Sequence, residues 1–287
     1  MAGEGHSILY WDPTVSTPCS LLILIHGGPH NLFHVSFNGD VAYYTKHGFA
    51  VLVPNYRGSA GFGEHYLHAL CGHMGDVELA DVLSAIDHVM EGKEVKVDPE
   101  RVFAMGSSYG GYIVMGLVIR STVVKRAILR NPVLNPVTMA TASDMATWMR
   151  VLAGCVPSRG VGDGDGDGDG VGVGVHNDDV NAIDAIYNGA ELQRLQSLSW
   201  LPYADKVSTP LRFILGGRDE RVLNQQTFEL CRRLRPGVSR VLRNPEDDHY
   251  LRSGVTAEMT SELVMRFFVC GVCWRIQEGI VDAGVIC

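Results

Sequence analysis

Continuous apolar runs alternate along this chain with stretches whose apolar residues recur every three or four positions. Leu21-Leu22-Ile23-Leu24-Ile25 is the clearest run, and it reads as a central strand covered on both faces. The same criterion predicts strands at about 7–11, 20–25, 50–54, 101–105, 124–129, 211–215 and 239–242. Helical periodicity predicts helices at about 40–47, 76–90, 111–121, 182–196, 225–234 and 256–269. In the second of these, Val77, Leu79, Ala80, Leu83 and Ile86 form one buried face, and Asp76 stands at the N-cap position. Strands and helices that alternate in this way build an α/β protein: a mostly parallel central sheet with helices on both faces. Only one early strand is visible, so the first antiparallel edge strand usual in such sheets is expected to be missing.

The 287 residues suit one large α/β domain over 1–287. A formal charge of −8 argues against nucleic acid and anionic membranes as partners. No apolar stretch approaches the roughly 18–20 residues needed to cross a bilayer. The segment from Met1 to Trp11 lacks the basic start and apolar core of a signal peptide. Seven scattered cysteines, an odd number, fit a reducing cytoplasm. Cys270 and Cys273 form a C-x-x-C without a second pair, so they read as core residues at a helix end rather than as zinc ligands. From Val161 to Val175 the chain is a run of Gly-Asp and Gly-Val repeats, and residues 160–177 are expected to be a disordered insert. The acidic spacing matches no calcium loop. Deleting 162–174 is expected to shift stability by at most about 1 kcal/mol, the closure entropy of a shorter loop. A calorimetric melt checks this, and a large loss would show that the segment packs.

Chemistry concentrates in Gly106-Ser107-Ser108-Tyr109-Gly110-Gly111-Tyr112, between a predicted strand and a predicted helix. A serine flanked by glycines on a sharp strand-to-helix turn is the nucleophile-elbow pattern. Only Ser108 fits it, because counting from Ser107 would require a glycine where Met105 stands. An elbow serine needs a base, and the base needs an acid to orient it. Of eleven histidines only His176 and His249 follow Ser108. His176 sits beside the Gly-Asp repeat, which cannot hold a fixed geometry, so His249 is the candidate base. The acid should follow a late strand, and Asp219 does so after 211–215. Asp247 and Asp248 are the alternatives, although Asp248 could not easily reach the far nitrogen of its neighbour His249. Ser108, Asp219 and His249 thus all fall past the carboxyl ends of predicted strands, the edge where open α/β sheets gather their ligands.

The strand at 20–25 is followed by His26-Gly27-Gly28-Pro29-His30. A glycine-rich turn there supplies one backbone donor of an oxyanion hole, and the residue after the nucleophile, Tyr109, supplies the other. His26 reads as a brace for this loop without a role in proton transfer. The glycines from Gly58 to Gly63 read as a loop near the active site, since the lysine of a phosphate-binding loop is absent.

Together, His26-Gly27-Gly28-Pro29, Asn55 to Gly63, Gly106 to Tyr112, Arg130-Asn131-Pro132-Val133, Asp219-Glu220-Arg221-Val222 and His249 resemble the catalytic α/β-hydrolase domain of the prolyl oligopeptidase family. The segments 130–133 and 141–154 are most similar to its acylaminoacyl-peptidase branch. The resemblance runs from about residue 8 to 268, broken near 160–177, and departs from the family at Leu223, where proline is usual. It implies release of an N-acylated amino acid from short peptides, and it selects Gly28 as the loop donor to the oxyanion. Members of the family carry a β-propeller ahead of this domain, and no repeat of that period occurs here. A chain without a propeller is expected to discriminate poorly against long peptides and to self-associate as a homo-oligomer through the uncovered face.

The leading expectation is a serine exopeptidase acting on short N-acylated peptides, with no metal or organic cofactor. A carboxylesterase of the same fold is the alternative enzyme, since the same residues serve any acyl transfer. An inactive fragment that acts as an interaction module is the non-enzymatic alternative.

Overall fold

The computed structural model describes residues 5–15, 17–155, 189–253 and, in the last helix, 256, 260, 261 and 264–270. The expected disordered insert, the start of the helix expected at 182–196 and Cys273 of the C-x-x-C lie outside the described residues. Strands β1 (His6–Tyr10), β2 (Cys19–Ile25), β3 (Phe49–Asn55), β4 (Val97–Ser107), β5 (Arg126–Arg130), β6 (Leu211–Gly216) and β7 (Ser239–Asn244) form one sheet in the order β1-β3-β2-β4-β5-β6-β7. Only the β1–β3 pairing is antiparallel; the others run parallel. This is the mostly parallel sheet that the alternation implied, in the α/β-hydrolase arrangement that the resemblance implied.

Side chains of the central strands alternate between two cores. Leu21, Ile23 and Ile25 of β2 join one, and Leu22 and Leu24 the other. The first core lies under the helices Val77–Met90, Tyr109–Arg120 and Gln225–Arg233, and the second under the helix Gly39–Lys46 and the last described helical turns, where Val264, Phe267 and Phe268 are buried. Burial on both faces is why these strands read as unbroken apolar runs. The helices are α1 (Gly39–Lys46), α2 (Glu64–His68), α3 (Val77–Met90), α4 (Tyr109–Arg120), α5 (Pro136–Ala142), α6 (Ala146–Leu152), α7 (Gly189–Ser197) and α8 (Gln225–Arg233).

Several elements differ from expectation. β4 is longer at both ends, because backbone pairing of Gly106 and Ser107 with Leu129 and Arg130 extends it regardless of side chain. Helix α4 starts at Tyr109, two positions early, and takes in both Gly110 and Gly111. Helices α2, α5 and α6 carry no clear periodicity and went unpredicted; each is at most seven residues long. Asp76 does precede α3, but its side chain makes no capping bond and pairs with Arg120 Nη1 at 3.1 Å instead. Arg150 of α6 and Glu191 of α7 form a buried ion pair that ties the chain together on either side of residues 156–188. Among the described residues, no helix is long and apolar enough to cross a membrane.

Candidate active site

The carboxyl ends of β2, β4, β6 and β7 open on one edge of the sheet, and the elbow stands at its centre. Ser107 ends β4 and Tyr109 begins α4, so the whole reversal falls on Ser108, with φ 55° and ψ −120°. A positive φ at a non-glycine residue costs about 1–3 kcal/mol and persists only where the surroundings enforce it. Close packing enforces it here. A Cβ on Gly106 would lie 2.3 Å from the Gly110 carbonyl oxygen, and one on Gly110 would lie 2.4 Å from that of Ile25. Bare backbone at both positions lets strand and helix close around the serine.

Asp219 follows β6 and is buried. Its Oδ2 accepts from His249 Nδ1 at 2.8 Å, and its Oδ1 accepts from the amides of Arg221 (3.0 Å) and Val222 (2.8 Å). A carboxylate held by these donors fixes both the tautomer and the plane of the imidazole. The other acids near His249 point elsewhere. Asp248 Oδ1 accepts from the Tyr250 amide at 2.8 Å. Asp247 accepts from Asn244 Nδ2 (3.0 Å), the Ser253 amide (2.9 Å) and hydroxyl (3.0 Å), and the Thr256 hydroxyl. Burial would raise its pKa, but these hydrogen bonds outweigh it and hold it below the usual value. Asp247 therefore pins the His249 loop to the last helix.

Ser108 and His249 line one cavity of about 480 Å³, together with Gly27, Gly28 and the side chains of Val133, Met139, Met145, Trp148 and Val222. No hydrogen bond joins Ser108 Oγ to His249 among the described residues. Such contacts are commonly long in unliganded enzymes and tighten with substrate. Gly28, at φ 116°, lines this space, and Tyr109, next to Ser108, is the first residue of α4. The first N–H groups of a helix have no intrahelical partner and are free for an oxyanion.

Behind the loop, His26 is buried, with Nε2 3.0 Å from Ser59 Oγ and Nδ1 2.7 Å from the Gly27 carbonyl. Burial pushes its pKa down to about 4, so it is neutral near pH 7 and serves as a brace. The Gly58–Gly63 loop lies against the same turn, since the Gly58 carbonyl meets His30 Nδ1 at 2.8 Å.

Two supports escaped the sequence reading. Asn131, at φ 41°, accepts from the Gly216 amide (2.9 Å) and donates to the carbonyls of His249 (2.9 Å) and Asp248 (3.2 Å), joining the ends of β5 and β6 to the histidine loop. Its signal was an asparagine directly after a strand, a residue type that tolerates positive φ. The other is Glu78, fully buried in α3. Its Oε1 accepts from the Gly75 amide (2.6 Å) and the Tyr109 hydroxyl (2.8 Å), while Oε2 has no partner among the described residues.

Burial pushes the Glu78 carboxyl up to about 7, against the opposing pull of those hydrogen bonds. An unfolded glutamate titrates near about 4.3, so between these values the folded chain binds the extra proton. Stability from this group is therefore full at low pH and is lost as pH rises through about 7. Glu78→Gln is expected to remove that slope. Between about pH 5 and pH 8 the native chain should lose up to about 3 kcal/mol more than the variant, read from urea midpoints. Equal slopes would contradict this.

The fold defines the class first: an α/β-hydrolase. The family follows, because residues 35–158 match the prolyl oligopeptidase family, and the resemblance read from the sequence holds. The chain is 32% identical over 234 residues to the acylamino-acid-releasing enzyme of Arabidopsis thaliana, covering 80% of this chain and 27% of that protein. It is 31% identical over 249 residues to the acylamino-acid-releasing enzyme of Homo sapiens, covering 84% of this chain and 30% of that protein. It thus spans about a third or less of these relatives. Among solved structures, an acylaminoacyl peptidase in complex with Z-Gly-Gly-Phe-chloromethyl ketone superposes with a TM-score of 0.75 at 21% identity, over 93% of this chain and 40% of that one. A puromycin-hydrolyzing peptidase of Mycobacterium tuberculosis superposes with a TM-score of 0.76 at 20% identity, over 96% and 38% respectively. Those two likenesses concern the fold.

Proposed function

We propose that this chain is a serine exopeptidase domain that releases N-acylated amino acids from short peptides. The observation that carries the reading is the 2.8 Å Asp219–His249 pair facing the strained Ser108 across one cavity. Ser108 Oγ attacks the carbonyl carbon while His249 Nε2 takes its proton. The oxygen that becomes negative is held by the N–H groups of Gly28 and Tyr109, each worth about 2.7–4 kcal/mol to the transition state. Collapse of the tetrahedral intermediate passes the proton from His249 to the leaving amine and leaves an acyl-enzyme. Water, deprotonated by the same histidine, then releases the N-acyl amino acid. Asp219 orients the imidazole and stabilises the imidazolium. The apolar wall of Val133, Met139, Met145, Trp148 and Val222 suits an apolar side chain on the acylated residue.

Three further readings go with this one. The described cysteines Cys19, Cys71 and Cys155 form no disulfide, which supports a reducing cytoplasmic setting. Val35 and Phe37, 85% and 89% exposed beside the catalytic edge, support self-association. The formal charge of −8 supports a peptide substrate rather than nucleic acid.

Hydrolysis of an acetyl-alanine anilide, compared with an acyl ester, tests the assignment. Turnover of both is expected. Turnover of the ester alone would make the chain a carboxylesterase, and turnover of neither would make it an inert module.

A further inference from the structure

Among the described residues, two arginines line the catalytic cavity, Arg130 and Arg221. Arg221 is engaged: its Nη2 donates to Asp144 Oδ2 at 3.0 Å and its Nη1 to the Tyr250 hydroxyl at 3.2 Å. Arg130 has no such partner. Its Nε is buried and unpaired, and its side chain makes no hydrogen bond or ion pair among the described residues. Among the described residues, no aspartate or glutamate lines the cavity. A half-buried guanidinium without a counter-ion is costly, because burial removes water and nothing replaces it. An anion that enters the cavity would supply what is missing.

The strand decides which part of the substrate meets it. Ala127 and Leu129 of β5 face the core under α4, and Ile128 faces the opposite core. Alternation therefore sends Arg130 to the side of Ile128. Its positive charge is felt there by the Tyr44 phenol of α1, whose pKa burial otherwise raises. Val133, Met139 and Val222 belong to the other core, so the apolar wall for the acylated residue lies across the elbow from Arg130. His249 hands its proton to the leaving amine, so the leaving residue must lie on the histidine's side of the elbow. Leu251 of the histidine loop belongs to the same core as Ile128. Arg130 thus stands with the leaving group.

We propose that Arg130 binds the free α-carboxylate of a single-residue leaving group, which makes N-acyl dipeptides the preferred substrates. The proposal rests on the peptidase reading above. It places a preference for the shortest peptides within the hydrolase domain itself, where the sequence had led us to expect little discrimination. Arg130 binds substrate and takes no part in proton transfer. A guanidinium–carboxylate contact is bidentate and charge-assisted, and its loss typically lowers binding by about 10- to 100-fold.

The test uses the full chain with acetyl-Ala-Ala, its C-terminal amide, and acetyl-Ala-Asp amide, in the native protein, Arg130→Gln and Arg130→Lys. For the native chain kcat/KM on the free acid should exceed that on the alanine amide by about tenfold or more, mainly through KM. Arg130→Gln should bring the two within about twofold, and Arg130→Lys should keep part of the difference. The aspartyl amide should behave as the alanine amide does; if it matches the free acid, the subsite reads a side-chain carboxylate instead and the proposal fails. Equal rates on acid and amide in the native chain, or a preference unchanged in Arg130→Gln, also overturn it. Protection of Ser108 from a fluorophosphonate by the same peptides needs binding without turnover. If no peptide is cleaved, stronger protection by the free acid that disappears in Arg130→Gln upholds the subsite while the peptidase reading falls, and equal protection removes the subsite.

Discussion

Ser108→Ala is expected to lower kcat by about 10⁶-fold while the chain stays folded. The size of the effect follows from the position. Ser108 carries the strained φ of 55° that projects Oγ from the elbow, and only this serine has Gly106 and Gly110 two positions to either side. Alanine removes Oγ and keeps Cβ, so packing around the turn is unaltered. The melting temperature should hold or rise slightly, since strained catalytic positions trade stability for function. Ser107→Ala should leave turnover within about twofold, because Ser107 still belongs to the regular pairing of β4 with β5. A reversal of these outcomes, with Ser107 essential and Ser108 dispensable, would move the nucleophile.

His249→Ala should cost about as much as Ser108→Ala, because the two act as a unit and neither retains value alone. Asp219→Asn should cost about 10⁴-fold. An amide in place of the carboxylate can present its N–H to His249 Nδ1, which turns the imidazole to the wrong tautomer and leaves Nε2 protonated. The neighbouring acids should separate cleanly. Asp248→Asn should change little, because among the described residues its side chain accepts a hydrogen bond only from the Tyr250 amide. Asp247→Asn should lower the melting temperature, since that carboxylate gathers Asn244, Ser253 and Thr256 beneath the loop. Any activity it loses should follow stability. If Asp247→Asn or Asp248→Asn abolishes turnover in a folded protein and Asp219→Asn does not, the acid has been misplaced.

The sheet and the positions of Ser108, Asp219 and His249 could be read in advance because each obeys a local rule. Buried parallel strands must be apolar throughout, and groups at their carboxyl ends share an edge. What could not be read depends on contacts remote in sequence. Glu78 looks like one more polar residue on an amphipathic helix, and only the tertiary fold brings its carboxyl to Tyr109, thirty-one positions away. Asn131 reads as a turn residue until the histidine loop folds over it. Helices α5 and α6, which supply Met139 and Trp148 to the cavity, are too short for a periodic signal. Asp76 shows the opposite failure. The residue type and position were right for a cap, yet Arg120 competes for its carboxylate.

The most direct test of Ser108 as nucleophile is covalent. A fluorophosphonate reacts only with a serine whose oxygen is activated and whose adduct is stabilised by an oxyanion hole. After labelling of the native chain and peptide mapping, the adduct should sit on Ser108 alone and form far more slowly in His249→Ala. An adduct on Ser107 or another serine, or labelling of Ser108 at an unchanged rate without His249, would contradict the assignment.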